Sequence, residues 1–277
     1  MAVVILPLFL LLLPFAAAQG PWQYCGTGGT YTSNSIYQAN LKLLSSTLPK
    51  KAASNTTLFA TDTIGNLPDI IFALALCRGD SNASACEGCL ATAFQDGEQL
   101  CPYSRDASIY YHSCMLRFSN TNFLPTMVDQ SWKTVESSHK FNTSIDSNST
   151  RQLLFTLINS TAQSAANSSR RFMTSRLDVR SFPAVYCLMQ CTPDLSASDC
   201  AFCFGSISKL MFWYINGPQG DPIMGTRCNM RYEMYQFFRG DPMMRITAAV
   251  APPVGGRTVE QNSMYNSHLS RHFIIWN

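Results

Sequence analysis

Cys77-Arg78-Gly79-Asp80-Ser81-Asn82-Ala83-Ser84-Ala85-Cys86-Glu87-Gly88-Cys89 returns in outline as Cys191-Thr192-Pro193-Asp194-Leu195-Ser196-Ala197-Ser198-Asp199-Cys200-Ala201-Phe202-Cys203. Working outward, Cys114 recurs as Cys228 and Leu74 as Leu188, and every one of these pairs is separated by 114 residues. Arg117 and Arg231, Phe118 and Tyr232, and Phe123 and Phe237 keep the same offset. A repeat held over so many positions means two copies of one unit, because a small supersecondary unit that is duplicated keeps its spacing. The reading divides the chain into residues 1–18, a first copy over 19–125, a second over 126–239, and a Pro/Gly-containing tail over 240–277, expected to be disordered.

Each copy carries the same order of signals. Tyr37, Leu41, Leu44 and Leu48 fall at helical spacing and place an early helix over about Ser35 to Leu48; Leu154, Phe155, Ile158 and Ala162 are its expected counterpart. A strand-like run follows, Ile71 to Leu76, matched by Val185 to Met189. Ser84-Ala85-Cys86-Glu87 has the form of a capping box and marks the start of a second helix, with Ser198 as the equivalent cap. That helix puts Cys86 and Cys89 on one face. A late strand holds Cys114 to Phe118, and Cys228 to Tyr232 in the second copy. Helices and strands mixed in so short a unit imply an α+β fold, two helices packed on an antiparallel sheet in each copy.

The chain of 277 residues has a net charge of +3 and only 13% charged residues, with 46% apolar. The charge is too small and too scattered to suggest nucleic acid, and the apolar content suffices for a core. Val3 to Phe15 is almost wholly apolar, is broken by Pro7 and Pro14, and runs into Ala16-Ala17-Ala18. This is the form of a secretory signal cut before Gln19, too short and too broken to span a bilayer. Sequons at Asn55, Asn82, Asn142, Asn148, Asn159 and Asn167 agree with a secreted glycoprotein, and the last four suggest a glycan-shielded stretch. A secreted, extracellular location in the apoplast is expected.

Eleven cysteines suit that oxidising compartment. Where the first copy has Cys25 and Cys101, the second has His139 and Ile215. Partners in a bridge tend to be lost together, since losing one strands a thiol, so Cys25 is paired with Cys101. Cys77 with Cys86 then closes a short loop into the helix, and Cys89 reaches Cys114; the second copy keeps Cys191–Cys200 and Cys203–Cys228. The Cys25–Cys101 loop of about 75 residues is worth roughly 4 kcal/mol of chain entropy, which makes the second copy the less stable half. Cys187, aligned with Ala73, is left as a buried unpaired thiol, with a dimer bridged through it as the less favoured alternative.

No catalytic constellation emerges. The pairs Cys86/Cys89 and Cys200/Cys203 are too far apart in sequence for a zinc ribbon, and each sulfur has a structural partner, which also argues against a dithiol redox site. His112, His139, His268 and His272 lie in no triad or ligand pattern, and no phosphate loop or carboxylate pair stands out. No metal, cofactor or enzyme activity is expected.

The spacing Cys-x8-Cys-x2-Cys, occurring twice, together with Arg231-Tyr232-Glu233-Met234-Tyr235 after Cys228 and Tyr31-Thr32-Ser33-Asn34-Ser35-Ile36-Tyr37, resembles the ginkbilobin-homologous, or stress-antifungal, domain of plants. The chain is similar to cysteine-rich repeat secretory proteins and to the ectodomain of cysteine-rich receptor-like kinases, over about Trp22 to Phe238. The resemblance implies two helices on an antiparallel sheet, bridges first-to-fifth, second-to-third and fourth-to-sixth, and an extracellular role in defence or stress signalling through an unknown protein partner or a cell-wall glycan. The single-domain member of the family binds mannose and inhibits fungi through an Asn, an Arg and a Glu. Those positions are Gly26, Ser108 and Ser119 in the first copy, and Lys140, Pro222 and Glu233 in the second, so Glu233 alone is retained as a candidate ligand-binding residue. A binding module is therefore the leading expectation and a mannose-type antifungal lectin the alternative. The segment Thr247 to Gly256 resembles the linker that precedes the membrane helix in such kinases.

Overall fold

The structure is a computed structural model that describes residues 21–126, 133–134, 147–179, 182–214 and 222–248. The expected signal sequence, Asn142, His139, Lys140 and Ile215 lie outside the described residues. The first copy runs β1 (Trp22–Cys25), α1 (Ile36–Ser54), β2 (Phe59–Ile64), β3 (Ile71–Cys77), α2 (Ala83–Leu100), β4 (Asp106–Tyr110) and β5 (Cys114–Ser119). The second runs β6 (Lys133–Thr134), α3 (Ser147–Asn167), β7 (Phe172–Val179), β8 (Phe182–Cys191), α4 (Ala197–Tyr214), β9 (Ile223–Met224), β10 (Cys228–Glu233) and β11 (Met244–Ala248). The sheets are ordered β1-β4-β5-β3-β2 and β11-β7-β8-β10-β9-β6. The second therefore repeats the first and adds a strand. That strand corrects the expected boundary of the tail: β11 continues the second sheet and pairs with β7 in parallel, with Met244 opposite Ser175 and Ala248 opposite Val179. All other pairings are antiparallel.

Helix α1 starts at Ser35, whose side chain accepts from the Gln38 N–H, and its Tyr37, Leu41, Leu44 and Leu48 are all at most 1% exposed. It runs through Pro49 to Ser54, past the expected end, because Ala52 and Ala53 still face the core. In α3 the buried stripe is Leu154, Leu157, Ile158 and Ala165, whereas Phe155 is 47% exposed. The correction has a simple origin. Ile64 pairs with Ile71, but Leu177 pairs with Val185, so the second hairpin holds one extra residue, next to the register shift between Leu177 and Val179. A bulge absorbs a residue without breaking the ladder. Upstream of that hairpin the true offset is 113, which matches Leu41 to Leu154 and Leu44 to Leu157. Leu58 and Arg171, which immediately precede β2 and β7 with positive φ (54° and 50°), match at the same offset. Their carbonyls accept from the Cys77 and Cys191 N–H at 2.9 and 2.8 Å.

The caps of α2 and α4 lie two residues earlier than the sequence suggests. Asn82 caps α2 by accepting from the Ala85 N–H at 2.8 Å, and Ser196 caps α4 by accepting from the Asp199 N–H at 3.1 Å. Ser84 and Ser198 fall inside the first turns.

The runs read as strands lack polar alternation because both faces of each sheet are covered. In β3, Ile71, Ala73, Ala75 and Cys77 point to the helices, while Leu74 and Leu76 belong to a second cluster with Phe59, Tyr110, Met115, Phe123 and Met224. Met224 comes from the other copy. The two sheets thus turn their helix-free faces toward one another and share an apolar seam.

Candidate functional site: the seam between the copies

Five disulfides hold the helices to the sheets: Cys25–Cys101, Cys77–Cys86, Cys89–Cys114, Cys191–Cys200 and Cys203–Cys228. With Cys86, Cys89, Cys200 and Cys203 so occupied, neither Cys-x-x-Cys pair is a dithiol. Cys187 is a free thiol with 0% exposure. It lies beside the Thr161 and Ser175 hydroxyls, which are hydrogen-bonded to each other at 2.5 Å, and burial pushes its pKa up to about 12. A thiol this deep serves as a small core side chain and does not reach a second chain. Asn55, Asn82 and Asn167 are exposed and Asn159 is partly exposed; Asn148 lies in α3. Asn55 accepts from both the N–H and the hydroxyl of Thr57, at 3.0 and 2.9 Å, so the first sequon is a closed turn at the end of α1. Among the described residues there is no group of three or more His, Cys, Asp or Glu side chains that could hold a metal ion.

Polar groups concentrate at the seam. Gln190, 1% exposed, donates to the Cys77 carbonyl at 3.1 Å and accepts from the Gly79 N–H at 3.2 Å. Its amide acts as one more rung of ladder between the copies. Arg170 donates to the Gly79 carbonyl at 2.9 Å, and the Arg239 N–H to the Asp80 carboxylate at 2.6 Å. Gly79 leaves no room for a side chain, since a Cβ there would stand 2.5 Å from the Phe172 ring.

Arg231 is the hub. Its guanidinium donates to Glu233 (2.9 Å) and to the Tyr235 hydroxyl (3.0 Å), and lies over the Phe237 ring at 4.5 Å. It also meets His112 Nδ1 of the first copy at 3.3 Å. An arginine can only donate, so Nδ1 accepts and the imidazole is neutral. Desolvation, then the charges of Arg231 and Arg78, lower the His112 pKa from its ordinary 6.5 to about 4. The Trp22 ring stands edge-on to it at 4.9 Å. Arg117 repeats the motif, lying over Phe123 at 4.3 Å with Asp106 at 3.9 Å.

Arg231 and Phe237 line a cleft with His112 and Ser113, while Arg117 and Phe123 line a cavity with Thr226 and Arg227. His112 and Ser113 sit in the first copy where Thr226 and Arg227 sit in the second. The same patch therefore meets itself from both sides, which is the signature of a two-fold, isologous interface. The repeated Arg and Phe read from the sequence are seam residues, a role that periodicity within one copy does not signal.

The sugar-binding positions implied by the resemblance are closed. A Cβ on Gly26 would lie 2.2 Å from the Asp106 carboxylate. Ser108 and Ser119 are 0% and 1% exposed, on the sheet face turned from the helices. The Glu233 side chain is 9% exposed and its carboxylate is engaged by Arg231 at 2.8 Å. Pro222 is buried. The cleft beside Arg231 has a volume of about 50 Å³, far below the ~300 Å³ of ordinary small-molecule pockets.

The profile of the salt stress response/antifungal family matches residues 24–121 and again 130–235. Cysteine-rich receptor-like protein kinase 6 of Oryza sativa subsp. japonica is 38% identical over 259 residues, covering 88% of this chain and 37% of that protein. Cysteine-rich receptor-like protein kinase 10 of the same organism is 38% identical, covering 87% of this chain and 38% of its own length. The chain thus spans well under half of these kinases. The putative cysteine-rich receptor-like protein kinase 9 of Arabidopsis thaliana is 36% identical, with 80% of this chain and 85% of that protein covered. Among solved structures, the tandem DUF26 ectodomains of the Arabidopsis thaliana cysteine-rich receptor-like proteins PDLP8 and PDLP5 superpose with TM-scores of 0.62 and 0.59. Their identities are 23% and 21%, each over 76% of this chain and over 96% and 97% of theirs, so they speak for the fold. With the profile matched twice and the seam joining the two matches, the chain belongs to the salt stress response/antifungal family, whose domain it carries in tandem.

Proposed function

We propose that this chain is a secreted, non-enzymatic binding module that recognises an extracellular protein partner in plant defence or stress signalling, with the tandem as the recognition unit. The observation that carries this reading is the closure of the sugar-binding positions, with Asp106 beside Gly26 and Arg231 on Glu233, which argues against a mannose-type lectin. Likeness to receptor-like kinases supports an extracellular role, and no described helix is long and apolar enough to cross a membrane. The surface left to a partner includes exposed apolar side chains. Ile36 and Leu43, 68% and 53% exposed, share a face of α1 with Asn40, which donates to the Asp69 carbonyl at 2.9 Å and so holds the loop bearing Leu67, 84% exposed.

The test is to immobilise the glycosylated, oxidised chain and pass over it plant cell-wall fluid and, separately, mannan. The expected result is saturable retention of a protein that Leu43→Asp abolishes, without retention of mannan. Mannan binding displaced by free mannose would overturn the proposal in favour of the lectin.

A further inference from the structure

We infer that the second polar cavity of the seam is a site for a small oxyanion, bridging the two copies. It has a volume of about 80 Å³ and is lined by Arg117, Phe123 and Thr126 of the first copy and by Thr226 and Arg227 of the second. A water's share of liquid volume is ~30 Å³, so a sulfate, phosphate or acetate is accommodated and a sugar is not. The decisive group is Arg227. Its side chain is 4% exposed, and only one of its nitrogens is matched, Nη2 with Asp194 at 2.8 Å. Nε and Nη1 are buried without a hydrogen-bond partner. A guanidinium offers five donors in a fixed fork that complements two oxygens of one anion, and leaving such donors buried and unmatched is costly.

The second cation of the cavity comes from the other copy. Arg117 is 12% exposed and is held flat by the Phe123 ring beneath it, at 4.3 Å. Asp106 stands to one side of Arg117 and Asp194 to one side of Arg227. An anion in the cavity meets both guanidiniums, and on Arg227 it finds two donors still unmatched. The Thr126 and Thr226 hydroxyls complete a lining that can donate to oxygen. The matching cleft around Arg231 holds no such site, because there Glu233 supplies the carboxylate from within the chain.

The experiment is isothermal titration of the full glycosylated, oxidised chain with sulfate, phosphate and acetate, in chloride at constant ionic strength. The expected result is a saturable isotherm for at least one of the three and a rise in melting temperature of about 2–5 °C at saturation. Arg227→Lys removes the fork while keeping the charge, and should weaken binding by at least tenfold. Should that variant not be secreted, Arg117→Lys and Thr226→Val approach the same cavity from lines that leave the Asp194 ion pair intact, and each should weaken binding. Absence of saturable binding by all three anions, meaning a cavity filled by water alone, would overturn the inference. So would an isotherm that none of the three substitutions weakens.

Discussion

His112 makes the seam sensitive to acid. Its ring accepts from Arg231 across the copies, Arg78 donates to its carbonyl at 3.4 Å, and the Trp22 ring stands edge-on to it, so a proton added to the ring meets two guanidiniums. In the folded chain its pKa falls from 6.5 to about 4. The sign follows from proton counting. Above pH 6.5 neither state holds the proton and the residue adds no pH dependence. As pH falls below 6.5 the unfolded chain takes up the proton first, so stability drops until the folded pKa is reached and is flat below it. Each pKa unit is worth 1.36 kcal/mol, giving up to about 3 kcal/mol, and the partial exposure of the ring discounts this to about 2. The assay is urea unfolding at pH 7.5, 6.5, 5.5 and 4.5 for the parent and for His112→Asn, whose amide oxygen keeps an acceptor near Arg231. Carboxylates titrate in both proteins, so the difference between the profiles isolates the imidazole. It should grow by about 1 kcal/mol at pH 5.5 and about 2 kcal/mol at pH 4.5. Parallel profiles over the whole range would refute the reasoning.

Other outcomes follow from the same geometry. Gln190→Leu restores the residue that Leu76 supplies in the first copy, but strands the Cys77 carbonyl and the Gly79 N–H; it should cost about 2–4 kcal/mol in urea unfolding. Replacing Cys25 and Cys101 together by Ser opens a loop with a separation of 76 residues and should cost about 4 kcal/mol, read as a lower denaturation midpoint. Cys187, with its pKa pushed up to about 12, should resist alkylation by iodoacetamide at pH 8 in the native protein and react fully in urea.

Much of this fold is legible in the sequence, and the failures have local causes. The stripe Tyr37, Leu41, Leu44, Leu48 is readable because one helix face packs on one sheet. Phe155 misleads because a single residue inserted in the β7–β8 hairpin shifts everything upstream, and the cysteines that anchor the alignment all lie downstream of it. Ser84 competes with Asn82 for the cap of α2 since both are good acceptors two residues apart, and only the turn geometry after Cys77 selects Asn82. The strand β11 is short and pairs only with β7, so nothing in its own pattern announces it. The seam is the least legible feature. Gln190, His112 and Arg227 lie on different strands and turns, and their meeting depends on two sheets facing each other, which no periodicity within one copy records. Yet the trace was present: Arg117/Arg231 and Phe123/Phe237 repeat exposed-type chemistry where a core would need none.

The central claim is that the two copies form one body, joined by an apolar seam with buried polar rungs. Differential scanning calorimetry of the full oxidised chain tests it most directly. The account predicts one transition whose calorimetric and van't Hoff enthalpies agree, because neither sheet can expose its seam face without loss of the other. Two resolved transitions, each with the enthalpy of a single copy, would contradict it.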